Sequence, residues 1–333
     1  MFFPLLAGKT KNFLSLILCL VMIFVLVGCS SSAELDVAGS DPLQSDLKAE
    51  TNQKNPELKL AEASPIVPKE TQQQQVVIYR LTRDGRYLLP ITRTVKIEGN
   101  PVEAALKELV EWEDEWSKPL LPEKIKLGKV EIQREIAVID LVGDFSKLNI
   151  GADQEAKIVE GLTRTATQFP YARQALILLN GKAAETLSGH VAIDKPLAFD
   201  KYLNVFANRQ GEETKIQLYF SDPDAMYMVP VTYSVPKTVA VIKTAVELLI
   251  QGPRQPGLKK TIPKGTKLID VSLEKGIVYV NFSREIRDNH WGGSSGESAT
   301  ISSLVYTLTS LPGVEKVQIL IEGKTGQSIA GHV

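Results

Sequence analysis

Two short patterns in the 333-residue chain carry residue types that could do chemistry. The stretch Gly292-Gly293-Ser294-Ser295-Gly296 fits G-x-S-x-G, in which a serine on a tight strand-to-helix turn becomes a nucleophile. That geometry needs a strand running straight into the serine, and the preceding strand pattern ends near Phe282, about ten residues too early. The plainer reading is a loop whose serines and glycines cap the next helix, with Glu297 near its positive end. The second pattern is Gly189-His190 and Gly331-His332, at equivalent points of two similar stretches. A general base or ligand needs an acidic or metal-binding neighbour, and none recurs beside these histidines. A packing or turn role is the better reading, with a ring nitrogen bonded to backbone. The third histidine is His290, and zinc needs three or four ligands. No catalytic residue, metal or cofactor is therefore expected.

The sharpest chemical signal lies at the N-terminus. Lys9 and Lys11 precede an almost wholly apolar run from Phe13 to Val27, about 15 residues long, whereas a spanning helix needs about 20. The run ends in Leu26-Val27-Gly28-Cys29, the pattern of a bacterial lipobox, where small neighbours admit the peptidase and the thiol takes the lipid. Residues 1–28 are expected to be a signal peptide, and lipidated Cys29 to hold the chain on the extracytoplasmic face of the cell membrane. An uncleaved anchor is the alternative. Cys19 falls inside the signal, so no intrachain disulfide is expected. Residues 29–75 read as a disordered tether, polar and without apolar period, with a reach of roughly 35–40 Å. The formal net charge of −1 offers no electrostatic argument for nucleic acid.

The rest is an internal duplication. Tyr87-Leu88-Leu89-Pro90-Ile91-Thr92 matches Tyr227-Met228-Val229-Pro230-Val231-Thr232, and Phe169-Pro170 matches Leu311-Pro312, with the offset near 140 throughout. The expected copies are 76–197 and 214–333, joined by a linker at 198–213. Each copy reads as strand, strand, helix, strand hairpin, helix, strand. Asn100, Pro101 and Glu103 mark one helix start, and Asp153 another. Val102, Leu106, Leu109 and Val110 form one apolar face, and Val239, Ile242, Val246 and Leu249 its counterpart. The expected class is α+β: two tandem copies, each a small mixed or antiparallel sheet with two helices on one face.

These segments resemble the GerM domain of sporulation and germination lipoproteins from endospore-forming bacteria, over about Val76 to Pro196 and Thr214 to Val333. Copy two carries the most specific part: Asn281-Phe282-Ser283, then 292–298, Leu311-Pro312-Gly313-Val314, 318–323 and Gly331-His332. Copy one has Gly151-Ala152-Asp153-Gln154-Glu155 in place of the Gly/Ser-rich stretch. The resemblance implies a fold similar to ring-building motifs, no catalytic residues, and scaffolding of an envelope complex with protein partners.

The long stretch from Ser283 to Gly296 carries Arg284, Arg287, His290 and Trp291, residue types that anchor interfaces, and reads either as a partner-binding element or as a mobile loop with no partner. Trp112 and Trp116, flanking Glu113, Asp114 and Glu115, read either as an interaction patch or as one core ring and one capping it. Two functional classes remain: a lipoprotein scaffold or assembly factor, and an extracytoplasmic module binding a glycan or small ligand. An exposed strand edge or apolar patch would favour the first, and a pocket of clustered polar and aromatic groups the second.

Overall fold

The computed structural model describes residues 72–206 and 212–331. The expected signal peptide, Cys29, most of the expected tether and His332 lie outside the described residues. No helix among the described residues is long and apolar enough to cross a membrane.

Copy one opens with β1 (Gln72–Thr82) and β2 (Leu88–Ile97), an antiparallel hairpin. Along β1, Val76, Ile78 and Arg80 are buried while Val77 and Tyr79 are less so, the two-residue period of a strand with one face on a core. The strand starts earlier than its apolar pattern. Gln72 to Gln75, expected in the tether, pair with Thr94 to Ile97 while their side chains stay exposed. A ladder is made by backbone groups, so four polar residues can extend it.

Then follow α1 (Pro101–Glu111), β3 (Ser117–Lys118), β4 (Lys126–Gln133), β5 (Ile136–Val142), a 3-10 turn at Phe145–Lys147, α2 (Ala152–Thr167), β6 (Gln174–Leu179) and β7 (Lys182–Ala183). Asn100 caps α1, its Oδ1 accepting from the Val102 N–H at 3.1 Å. Asp153 does not cap α2. It lies inside the first turn, ion-paired to Lys157, and the cap position is Gly151. After β8 (Val205–Phe206), copy two repeats the order: β9 (Glu213–Ser221), β10 (Met228–Pro236), α3 (Val241–Gln251), β11 (Leu268–Glu274), β12 (Ile277–Phe282), the short α4 (Glu285–Asp288), α5 (Ser294–Thr309) and β13 (Lys316–Ile321). The core face of α3 is Ala245, Val246, Leu248 and Leu249. Val239 precedes the helix and is fully exposed.

The duplication and the α+β class hold, with the strands of each copy divided between two sheets. Copy one has β2-β1-β3 and β4-β5-β6-β7; copy two has β8-β10-β9 and β11-β12-β13. In each copy the two long helices pack on one another and against strands of both sheets. Helices α2 and α5 make the crossovers that let β5 and β6, and β12 and β13, pair in parallel. The central strands β5 and β12 bury Ala137, Ile139, Leu141 and Val278, Val280, Phe282.

The connection is built into the structure. Leu203 is buried and β8 pairs in parallel with β10. Asn204 stands at φ 47° and uses its side-chain amide as a strand would: Oδ1 accepts from the Leu88 N–H at 2.9 Å, and Nδ2 donates to Leu88 O at 2.9 Å and Pro230 O at 2.7 Å. Equivalent tyrosines reach across in both directions. The Tyr87 hydroxyl donates to Pro256 O, and the Tyr227 hydroxyl to Asp114 Oδ2 at 2.9 Å. Burial, the hydrogen bond to Asp114 and its negative charge push the Tyr227 hydroxyl up to about 12.

Candidate functional site

The repeated Gly-His pairs mark turns held by a carboxylate. Glu155, fully buried in the first turn of α2, accepts from the backbone N–H groups of Leu187 (2.9 Å), Ser188 (3.0 Å), His190 (3.1 Å) and Val191 (3.3 Å), and from the Ser188 hydroxyl at 2.6 Å. In copy two, buried Glu297 accepts from the Ile329 N–H and the Ser328 hydroxyl, both at 2.8 Å. Gly189 (φ 103°) and Gly331 (φ 84°) turn in the left-handed region, each N–H donating to a hydroxyl three residues back. The bond involving His190 comes from its backbone N–H, and its ring is exposed. The carboxylate recurs at an offset of 142, Glu155 against Glu297, a signal present in the sequence.

The stretch after β12 is partly helical. Arg284 and Arg287 lie at and on α4, Arg287 bonding Asp288 at 3.0 Å and Gln327 at 3.1 Å. His290 works inside the loop: Nδ1 accepts from the Gly292 N–H at 3.1 Å, and Nε2 lies 3.1 Å from Thr300 Oγ1. Burial holds its imidazole below the usual range, with Glu297 opposing. Acceptance at Nδ1 requires the unprotonated nitrogen, so the neutral ring donates from Nε2. Trp291 stacks on that ring at 4.7 Å and remains 53% exposed. The indole rests on Gly296, where a Cβ would meet Trp291 Nε1 at 2.4 Å. Ser294 is the first residue of α5, and α4 stands between it and β12, so the strand-serine-helix junction of a nucleophile elbow is not formed.

Trp112 and Trp116 are half-buried, each beneath guanidinium groups. Arg93 lies 4.4 Å and Arg80 5.2 Å from the Trp112 ring centre, and Arg83 lies 5.8 Å from that of Trp116. Arg80 is itself buried and donates to Ser117 Oγ at 2.8 Å and Trp112 O at 2.7 Å. These rings brace the segment between α1 and β4.

Two surfaces missed by sequence reasoning come from comparing the copies. The outer strand β4 presents Lys126, Lys129 and Glu131, whereas β11 exposes Ile269 (53%) and Leu273 (42%), and Ile269 lines a hollow of about 670 Å³ with the fully exposed Val239. The far edge of β6 is covered by β7 and by Leu197, whose backbone pairs with Ala175; the corresponding edge of β13 has only the Ile321–Lys324 bridge among the described residues. The second surface is a groove of about 720 Å³ along α5, with tyrosine and serine side chains in its wall.

Fold and surfaces together define a tandem α+β protein with one open strand edge and one groove that differ between the copies. The chain belongs to the family described as Germane: Sporulation and spore germination, whose model matches residues 64–185 and 217–327, one stretch per copy. It is similar to the spore germination protein GerM of Bacillus subtilis (strain 168), at 25% identity over 312 residues that cover 87% of this chain and 81% of GerM. Its structure is similar to the tandem GerMN domains of the sporulation protein GerM from Bacillus subtilis, with a TM-score of 0.57 and 23% identity over 76% of this chain and 92% of that one. The protein is a sporulation- and germination-associated homologue of GerM.

Proposed function

We propose that this protein is a non-catalytic, extracytoplasmic lipoprotein, anchored through Cys29, that acts in sporulation or germination as a scaffold or assembly factor for an envelope complex. The contrast between the two outer strands carries this reading. Natural sheets guard their edges with charged side chains, above all lysine, because unpaired backbone groups recruit other strands. Copy one follows that rule at β4. Copy two has no lysine in β11; its exposed charged side chains are Asp270 and Glu274, and Ile269 and Leu273 are exposed beside them. An exposed edge with apolar neighbours suits docking by strand addition.

The test installs the copy-one pattern in copy two. Ile269→Lys with Leu273→Lys is expected to abolish recovery of protein partners with the anchored chain from sporulating cells. Folding stability should stay within about 1 kcal/mol of wild type, as for surface substitutions. Undiminished partner recovery by a variant that melts normally would refute docking at β11.

A second reading, a module for a glycan or small ligand, draws on the groove along α5, which clusters polar and aromatic side chains.

A further inference from the structure

Each copy carries the same groove, and one connection joins the copies, so the connection can cross only one of them. In copy one it crosses the outer face of α2. Arg164 donates to Tyr202 O at 2.8 Å, the Arg164 guanidinium lies 5.6 Å from the centre of the Phe199 ring, and Asp200 pairs with Lys215 at 3.1 Å. The walls there are charged, with Arg86, Asp153, Lys157, Glu160 and Arg164. At offsets of 140 to 142, copy two has Met226, Ser295, Ala299, Ser302 and Tyr306. These residues line the groove of about 720 Å³, closed on its far side by β1 and β2 of copy one. Tyr306 and Met226 are each about half exposed, and no charged side chain lines the groove.

We infer that this groove binds an uncharged peptide segment of a partner protein, with an aromatic side chain seated on Tyr306 and Met226 as Phe199 is seated on Arg164. The occupant is argued from copy one, where Arg164 on the same helix face holds the connection through the Tyr202 carbonyl and the Phe199 ring, beside a hollow of about 880 Å³. In the open copy the hydroxyls of Ser298 and Ser302 offer donors for peptide carbonyls. Tyr306, edge-on to Tyr219 with centres 5.5 Å apart, offers the stacking face. The loss of every charge that lines the copy-one groove fits a neutral segment. A sugar is the weaker match: vicinal hydroxyls are gripped in pairs by carboxylate, amide or guanidinium groups, and none of these side chains lines the groove. The inference rests on the groove alone and is independent of the β11 edge.

The probe is the linker's own heptapeptide, residues 198–204, capped at both ends, with Asp200→Asn and Lys201→Gln and a benzophenone side chain at the Phe199 position. Irradiated with the full chain, it is expected to cross-link to Met226, Met228 or α5, as mapped by mass spectrometry, and to be displaced by the unlabelled peptide. Tyr306→Ala should weaken labelling at least about fivefold, the size of an interface anchor. Ser298→Trp, at an exposed position, should fill the groove and abolish labelling. Both variants should melt as wild type does. Cross-linking elsewhere, none at all, or equal labelling of wild type and both variants overturns the proposal. So does a shift of the Ser295–Ser302 amide resonances by chitotetraose but not by the peptide, which would assign the groove to a glycan. The β11 double variant should label normally, so the two surfaces fail separately.

Discussion

Glu155 is a buried carboxylate with five hydrogen-bond donors. Burial alone would raise the Glu155 pKa, but the Ser188 hydroxyl and the N–H groups of Ser188, Val191 and Leu187 outweigh it and hold it below the usual carboxylate range. A depressed folded pKa stabilises above the unfolded value, near 4.3, and that contribution is lost as pH falls through the lower folded value. Glu155→Gln is therefore expected to melt below wild type at neutral pH and to converge with it as pH falls through the lowered folded value. Glu155→Ala, which leaves buried donors unpaired, should cost about 3 kcal/mol. Calorimetry across that range checks both. His290 titrates the opposite way in charge but with the same sign in stability. Its neutral form is favoured, so its contribution is present above the unfolded value near 6.5 and lost as pH falls through the lower folded one. Trp291 fluorescence should change with a midpoint below about 6.5, and His290→Gln should remove that step. A step that survives the substitution would place its origin elsewhere.

The loop from Ser283 to Gly296 shows why one element diverged between copies. Gly296 has the space of a hydrogen atom because Trp291 lies on it; copy one has Gln154 at that position and no tryptophan in the matching loop. Gly296→Val should displace Trp291 and cost about 1–2 kcal/mol, as overpacking does, seen as a blue-shift lost from Trp291 emission and a lower melting temperature. Joint replacement Arg287→Ala and Trp291→Ala tests the loop as a partner contact: weaker complex formation with stability within about 1 kcal/mol is expected. Unchanged partner recovery would leave α4 and its loop with a purely internal role, bracing the end of β12 through the Arg287–Gln327 bond.

Across the whole molecule, the reciprocal tyrosines and the strand-like amide of Asn204 tie the copies into one unit. Asn204→Ala removes bonds to both copies and should cost about 2 kcal/mol. Combined with Tyr87→Phe and Tyr227→Phe, it should split a single calorimetric transition into two, since domains that no longer stabilise one another unfold separately. One sharp transition in the triple variant would show that apolar packing alone couples the copies. At the same scale, Cys29→Ala is expected to abolish labelling by a palmitate analogue; equal labelling of both chains would remove the anchor from the proposed function.

The duplication, the order of helices and strands, the Asn100 cap and the α+β class were legible in residues 76–333 because they depend on local periodicity and on likeness at a constant offset. Periodicity also misled where local cues stop short: Val239 continued an apolar spacing into a segment that is not helix, and Gln72 to Gln75 carried no apolar pattern although they complete β1. The partition into four sheets was beyond reach because pairing is made by backbone groups common to every residue. The role of Glu155 was hidden because its donors lie more than thirty residues downstream. The lysine-free edge at β11 and the groove on α5 stand out only by contrast with copy one, where lysines line β4 and the connection crosses α2. Sequence by itself determined that two similar domains follow one another. Tertiary structure decided which of their equivalent surfaces the connection crosses, because a single connecting segment can run over only one of two equivalent sites.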